Sequence, residues 1–247
     1  MARRATKIAQ MRQQSGFVLL LDAGDSLVGD ADPARKSQGQ SSITVMNMLG
    51  YDAMALGPQD LSLGLSVLQQ RMAEAKFAFL SANAVVSATG KLLATPYVIR
   101  EFGSRKVAIV GLSGGGGTAD IAVRDPLQTA QTSVTQAASQ ADVVILLSHA
   151  GETVDQQIAD TVPGIALIVS SGPFALAMPW RSEKTGTLIV HADEAQPGHA
   201  GRRLGIAALT FEPSGKMSLP NWQRVELGTE IAEDPAMADW VKKQLGL

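Results

Sequence analysis

The chain has 247 residues, a net charge of -2, 45% hydrophobic and 18% charged residues, and no cysteine. That apolar content excludes a disordered chain, and the missing cysteines exclude a disulfide scaffold, a cysteine-based zinc site and a cysteine nucleophile. The charge is nearly balanced, with no basic stripe of the kind nucleic acid requires. The longest near-continuous apolar run, residues 17–21, is far below the ~20 residues of a membrane span.

Short apolar runs alternate with amphipathic stretches, the βα pattern of an α/β domain. Residues 3–14 read as a helix ended by Ser15-Gly16, and 17–21 as a buried strand. A helix over 42–49 is stopped by Gly50 and followed by a strand over 52–56. The next helix covers 63–74, with Leu65, Leu68 and Met72 on one face, and the next strand 77–80. Residues 97–102 and 106–110 flank Gly103-Ser104, the spacing of a β-hairpin. A helix over 127–141 leads to 143–147, a run of valine, isoleucine and leucine that reads as a central parallel strand. A helix over 153–162 closes at Pro163-Gly164, and 165–169 is another buried strand. After about residue 185 the helices thin out. Strands over 188–190, 204–211 and 223–227 read as an antiparallel continuation or second sheet before a closing helix over 235–245. No linker or repeat interrupts the pattern, so residues 1–247 read as one domain.

In open α/β sheets, sites lie beyond the carboxyl ends of the strands. Asp22 to Asp25, Gly57-Pro58-Gln59-Asp60, Ser81 to Asn83, Ser148-His149 and Ser170-Ser171-Gly172 occupy those places. If the strands are neighbours, Asp25, Asp60, Asn83 and His149 converge on one sheet edge. A carboxylate and an imidazole there suit a divalent metal. From spacing alone, turn-capping aspartates and a hydrogen-bonded histidine are the simpler reading. The run from Ser113 through four glycines to Thr118 follows a strand and offers backbone N–H groups to a phosphate, but it lacks the lysine of a P-loop and reads rather as a flexible loop. His191 and His199 read as surface or turn histidines. Trp180, Trp222 and Trp240 read as packing anchors.

Several stretches resemble a known family. Leu19-Leu-Leu-Asp-Ala-Gly-Asp25-Ser26-Leu27, the segment from Met46 to Gly57, Phe79-Leu-Ser-Ala-Asn83, Leu147-Ser-His149-Ala-Gly151, and Gly186 to Val190 followed by Gly201-Arg202 are similar, in order, to the bacterial 5′-nucleotidase branch of the calcineurin-like metallophosphoesterases. The resemblance implies a metallophosphoesterase-like α/β/β/α sandwich with two packed mixed sheets and a dinuclear metal centre that hydrolyses phosphate esters. It also implies five ligand blocks. The first, Asp-x-His on the first strand, has no counterpart, so that strand is absent or lies upstream of Met1. Gly24-Asp25 matches the Gly-Asp block, whose aspartate bridges both metals. The Gly-Asn-His-acid block reads Gly57-Pro58-Gln59-Asp60, with neither the asparagine ligand nor the histidine. Ser148-His149 matches the Ser-His block. Gly172-Pro173-Phe174-Ala175 stands in place of Gly-His-x-His.

Asp25 and His149 are therefore the two expected metal ligands, read as vestigial. No catalytic residue is assigned, and any metal held would be divalent manganese, zinc or iron. The expected function is that of a degenerate, weak or inactive domain retained as a binding or structural module. The alternative is an active hydrolase whose nonstandard metal shell includes Asp22 or Asp60. The expected partner is a protein or a phosphorylated small molecule, not nucleic acid. The family's C-terminal nucleotide-binding domain is not expected in this chain. With no targeting signal the chain reads as cytoplasmic, whereas the resemblance implies an extracytoplasmic location if a segment upstream of Met1 is missing.

Overall fold

The computed structural model describes residues 1–29, 32–172, 178–192, 201–212, 217–218 and 220–246. In chain order the elements are α1 (Ala2–Gln14), β1 (Leu21–Asp22), α2 (Asp32–Lys36), α3 (Gln40–Leu49), β2 (Ala53–Ala55), α4 (Pro58–Leu61), α5 (Leu65–Glu74) and β3 (Ala78–Leu80). There follow β4 (Ala84–Val86), β5 (Tyr97–Phe102), β6 (Arg105–Leu112), β7 (Ile121–Val123), α6 (Pro126–Ala138), β8 (Val143–Ser148), α7 (Glu152–Thr161) and β9 (Ile165–Ser170). The last are β10 (Trp180–Arg181), β11 (Leu188–Val190), β12 (Arg203–Ala208), β13 (Asn221–Glu226) and α8 (Pro235–Leu245). The chain, read from its sequence as one domain, divides into two compact units, Leu20–His191 and a smaller one made of Met1–Leu19 with Ala192–Leu247.

The larger unit holds two main sheets. Six strands run in the order β10-β11-β9-β8-β6-β5, and three in the order β1-β2-β3. β8 is central and parallel to both neighbours, β6 and β9, as its unbroken apolar run requires. The β5–β6 hairpin pairs Phe102 with Arg105 around the expected turn. One side of the six-stranded sheet is covered by α6 and α7, with Val144 and Leu146 packed among Ala130, Val134, Ile158 and Ala159. On the other side the two sheets approach so closely that a Cβ on Gly111 of β6 would lie 2.4 Å from Leu80 Cβ of β3. The parallel crossovers through α3 and α5 put those helices on one face of β1–β3, where Asn47 Nδ2 of α3 donates to the Glu74 carbonyl of α5 at 2.9 Å. The layers are thus helix, sheet, sheet, helix. The second sheet is wholly parallel rather than mixed.

Two strand expectations are corrected. Residues 17–21 do not form a buried strand. Only Leu21–Asp22 pairs, at the edge of its sheet, and Phe17 is 66% exposed. An apolar run alone does not report whether a second neighbour exists to bury it. β11 does not continue an antiparallel sheet, because it joins β9 in parallel. Among the described residues there, β10 pairs antiparallel with β11 and β12 with β13, and Phe211 bridges Met217 in the same sense.

In the smaller unit, β12 and β13 form a ribbon whose glycine at 205 leaves room for the Trp222 ring. The Asp234 amide donates to the Ala2 carbonyl of α1 at 3.2 Å. Asp234 also caps α8, accepting from the Met237 amide, with Pro235 at the first position and Gly246 at φ 72° closing the helix. Those signals explain why the bounds of α8 are legible from sequence. Among the described residues no helix is long and apolar enough to cross a membrane.

Candidate functional site

Asp25 lies in the turn that follows β1, with φ at 62°, a left-handed conformation uncommon for a residue with a side chain. Its neighbours hold it there. Its amide donates to Asp60 Oδ2 at 2.7 Å, its Oδ1 accepts from the Gln59 amide at 2.8 Å, and its Oδ2 lies 3.0 Å from His149 Nε2. The backbone at Gly57 comes so close that any Cβ there would lie 2.1 Å from Asp25 Oδ1. The three strand-end segments after β1, β2 and β8 therefore meet, as the topology leads one to expect.

His149 is buried, and its Nδ1 lies 3.1 Å from the Ala23 carbonyl. A carbonyl only accepts, so Nδ1 carries a proton. Nε2 faces a carboxylate and needs one too, which makes the doubly protonated imidazolium the form that serves both partners. Burial opposes that charge, but the hydrogen bond and charge of Asp25, with smaller help from Ala23 and Asp60, outweigh it and raise the His149 pKa. When protonated, His149 forms an ion pair with Asp25 in which each group satisfies the other.

Asp60 is fully buried and accepts from three backbone amides, those of Asp25, Gly57 and Leu27. Burial pushes its carboxyl up to about 7, with the charge of Asp25 adding to the rise and the three amides opposing it. Asp60 thus ties the first two loops together through both of its carboxyl oxygens. Asp22 accepts from the Gly24 amide and the Ser26 hydroxyl, the Asx-turn geometry of a loop-capping aspartate.

Asn83 does not join the pair. Its carboxamide is occupied by the Ser113 amide and by the Ser113 and Arg124 carbonyls. His191 is buried at the end of β11 rather than at the surface. His199 and residues 173–175 lie outside the described residues. Trp180 packs on the main core, while Trp222 and Trp240 are half-buried.

The glycine run is explained by packing at three of its positions. A Cβ on Gly114 would lie 2.0 Å from the His149 carbonyl oxygen, one on Gly117 2.4 Å from the Ile121 carbonyl, and Gly116 has φ at 100° beside Pro58. A cavity of about 340 Å³ opens beside this loop, lined across from it by Arg124, Asp125 and Pro126.

Sequence reasoning did not assemble one cluster. Asp155 in α7 is buried and accepts from Ser148 Oγ and Ser170 Oγ, each at 2.5 Å. The signal available was a serine closing each of two adjacent strands and an aspartate in the first turn of the helix between them.

As a home for the dinuclear centre the resemblance implies, the donor set falls short. Among the described residues no three His, Cys, Asp or Glu side chains gather where a metal ion could be held. Asp25 and His149 meet as a pair, Pro58 offers no side-chain donor, and the Gln59 carboxamide is neither acid nor base at neutral pH.

No protein-family model matches the chain. It is 31% identical over 262 residues to the 5′-nucleotidase of Bos taurus, covering 95% of this chain and 45% of that protein. The sulfate thiohydrolase SoxB of Thermus thermophilus superposes with a TM-score of 0.87 at 23% identity, over 99% of this chain and 46% of that one. A 5′-nucleotidase precursor from the same organism superposes with a TM-score of 0.86 at 25% identity, over 99% of this chain and 52% of that one. The calcineurin-like phosphoesterase YfkN of Bacillus subtilis shares the fold as well, with a TM-score of 0.78 at 22% identity over 100% of this chain and 88% of that one. Within that class the chain is a relative of the 5′-nucleotidases. It spans about half the length of the curated relatives it matches.

Proposed function

We propose that this chain is a degenerate 5′-nucleotidase-like domain, weak or inactive in phosphoester hydrolysis, that serves as a binding or structural module for a protein or a phosphorylated small molecule. The observation that carries this reading is the self-satisfied Asp25–His149 pair beside Pro58 and Gln59. Pro58 and Gln59 add neither a carboxylate nor an imidazole to that pair, and metal affinity follows the number and geometry of deprotonated ligands.

The test is elemental analysis of the purified chain after incubation with manganese or zinc and extensive dialysis, alongside turnover of AMP and p-nitrophenyl phosphate. Near-zero retained metal and no turnover are expected. Efficient metal-dependent turnover overturns the reading. It would favour the second one, an active hydrolase with a nonstandard shell, which draws support from relatives named 5′-nucleotidase. On that second reading Asp25→Ala and His149→Ala each abolish turnover.

A further inference from the structure

Ser148 and Ser170 are register partners at the carboxyl ends of β8 and β9. Their hydroxyls donate to the two oxygens of one carboxylate, Ser148 to Asp155 Oδ1 and Ser170 to Asp155 Oδ2. All three residues are buried. Ser148 Oγ also accepts from the Ala150 amide at 3.2 Å, and the Ser171 amide donates to the Ser148 carbonyl at 2.8 Å. The carboxylate thus grips the two strands at the point where they turn into loops, and His149 is the next residue on one of them.

Volume alone does not call for an acid here. Apolar side chains would fill the same space without the cost of burying a carboxyl group. What the acid adds is direction. One rigid planar group bonded to two hydroxyls fixes both the separation and the rotation of the strand ends. His149 needs that, because its Nε2 must reach Asp25 Oδ2 while its Nδ1 reaches the Ala23 carbonyl. A small turn of the Ser148 end breaks one bond or both.

We propose that Asp155 is a positioning residue for the site: by clamping Ser148 and Ser170 it sets the His149 ring against Asp25. This rests on the reading of Asp25 and His149 as a self-satisfied pair.

The test is proton NMR of the full chain, observing the hydrogen-bonded ring N–H signals of His149. The chain has three histidines, and a His149→Gln variant assigns the signals. Asp155→Val removes both acceptors at similar volume, and it is expected to abolish or split the His149 ring signals while the backbone spectrum stays dispersed. Asp155→Asn, which keeps an acceptor and adds a donor, is expected to retain them as single lines. Should Asp155→Val not fold, Ser170→Ala removes one of the two bonds, and a shift or splitting of the same signals is expected. Wild-type His149 signals in whichever of these two folds reduce Asp155 to a packing residue and overturn the proposal. Efficient phosphoester turnover would overturn the preceding reading of the protein without moving this readout, so the two fail separately.

Discussion

Raising the pH from about 4 to about 7.5 removes stability that Asp155 contributes in its protonated form. Burial pushes its carboxyl up to about 6 from an ordinary 3.8, against the pull of the two serine hydroxyls and His149 and with a small push from Glu152. A carboxyl whose pKa is higher in the folded than in the unfolded chain holds its proton more tightly when folded. Its contribution is therefore complete below the unfolded pKa and is lost as the pH rises through the folded one. A shift of roughly two units, at about 1.4 kcal/mol per unit, amounts to about 3 kcal/mol. Asp155→Asn preserves the shape, keeps one acceptor and one donor as the protonated acid does, and cannot ionise. Urea unfolding of both proteins across this range should find them alike near the acid end. Near the upper end the variant should be the more stable, by on the order of 3 kcal/mol. Asp60, also raised, lowers stability over an overlapping window in the two proteins alike and cancels in the difference, which therefore reports Asp155 together with its coupling to His149. A difference that stays constant with pH, or a variant that becomes the weaker protein at the upper end, refutes the reasoning.

Gly114→Ala drives a methyl group to 2.0 Å from the His149 carbonyl oxygen, a backbone atom that has no rotamer to escape into. It should cost about 3 kcal/mol, at the upper end of overpacking, and an unchanged urea midpoint would count against that contact. Asp60→Ala strands the amides of Asp25, Leu27 and Gly57. At about 1–3 kcal/mol for each unpaired buried donor, it should lower stability by at least about 3 kcal/mol, with Asp60→Asn recovering part of the loss. Equal stability of the two variants would show that the three amides find other partners.

Most of the helices and the β5–β6 hairpin are legible in the sequence because their signals are local. Gly50 at φ 69° stops α3 where the sequence places its end. The turn at Gly103 closes the hairpin at the expected register. The apolar run of β8 is central, as its composition demands. The short pieces β4, β7, α2 and α4 escape, since three to five residues carry no period to read. The edge position of β1 and the burial of His191 escape for another reason. Each depends on what the fold lays beside a segment, and the segment does not encode that.

The site divides along the same line. Asp25 and His149 stand out in sequence as polar residues after strand-like runs, and their order along the chain matches a family pattern. Their pairing at 3.0 Å depends on β1, β2 and β8 ending side by side, with Gly57 and Gly114 letting backbone and side chains close to contact. Sequence alone determined the α/β alternation, the ends of the well-capped helices and the kinds of group available at the strand ends, because spacing, capping and turn chemistry act over a few residues. Only the tertiary structure decided that Asp25 is paired with His149, that Asp60 serves three amides and that Asp155 grips Ser148 and Ser170. Hydrogen bonds and charges act between atoms a few ångströms apart, and it is the packing of two sheets that brings residues 35 and 126 positions apart along the chain within that reach.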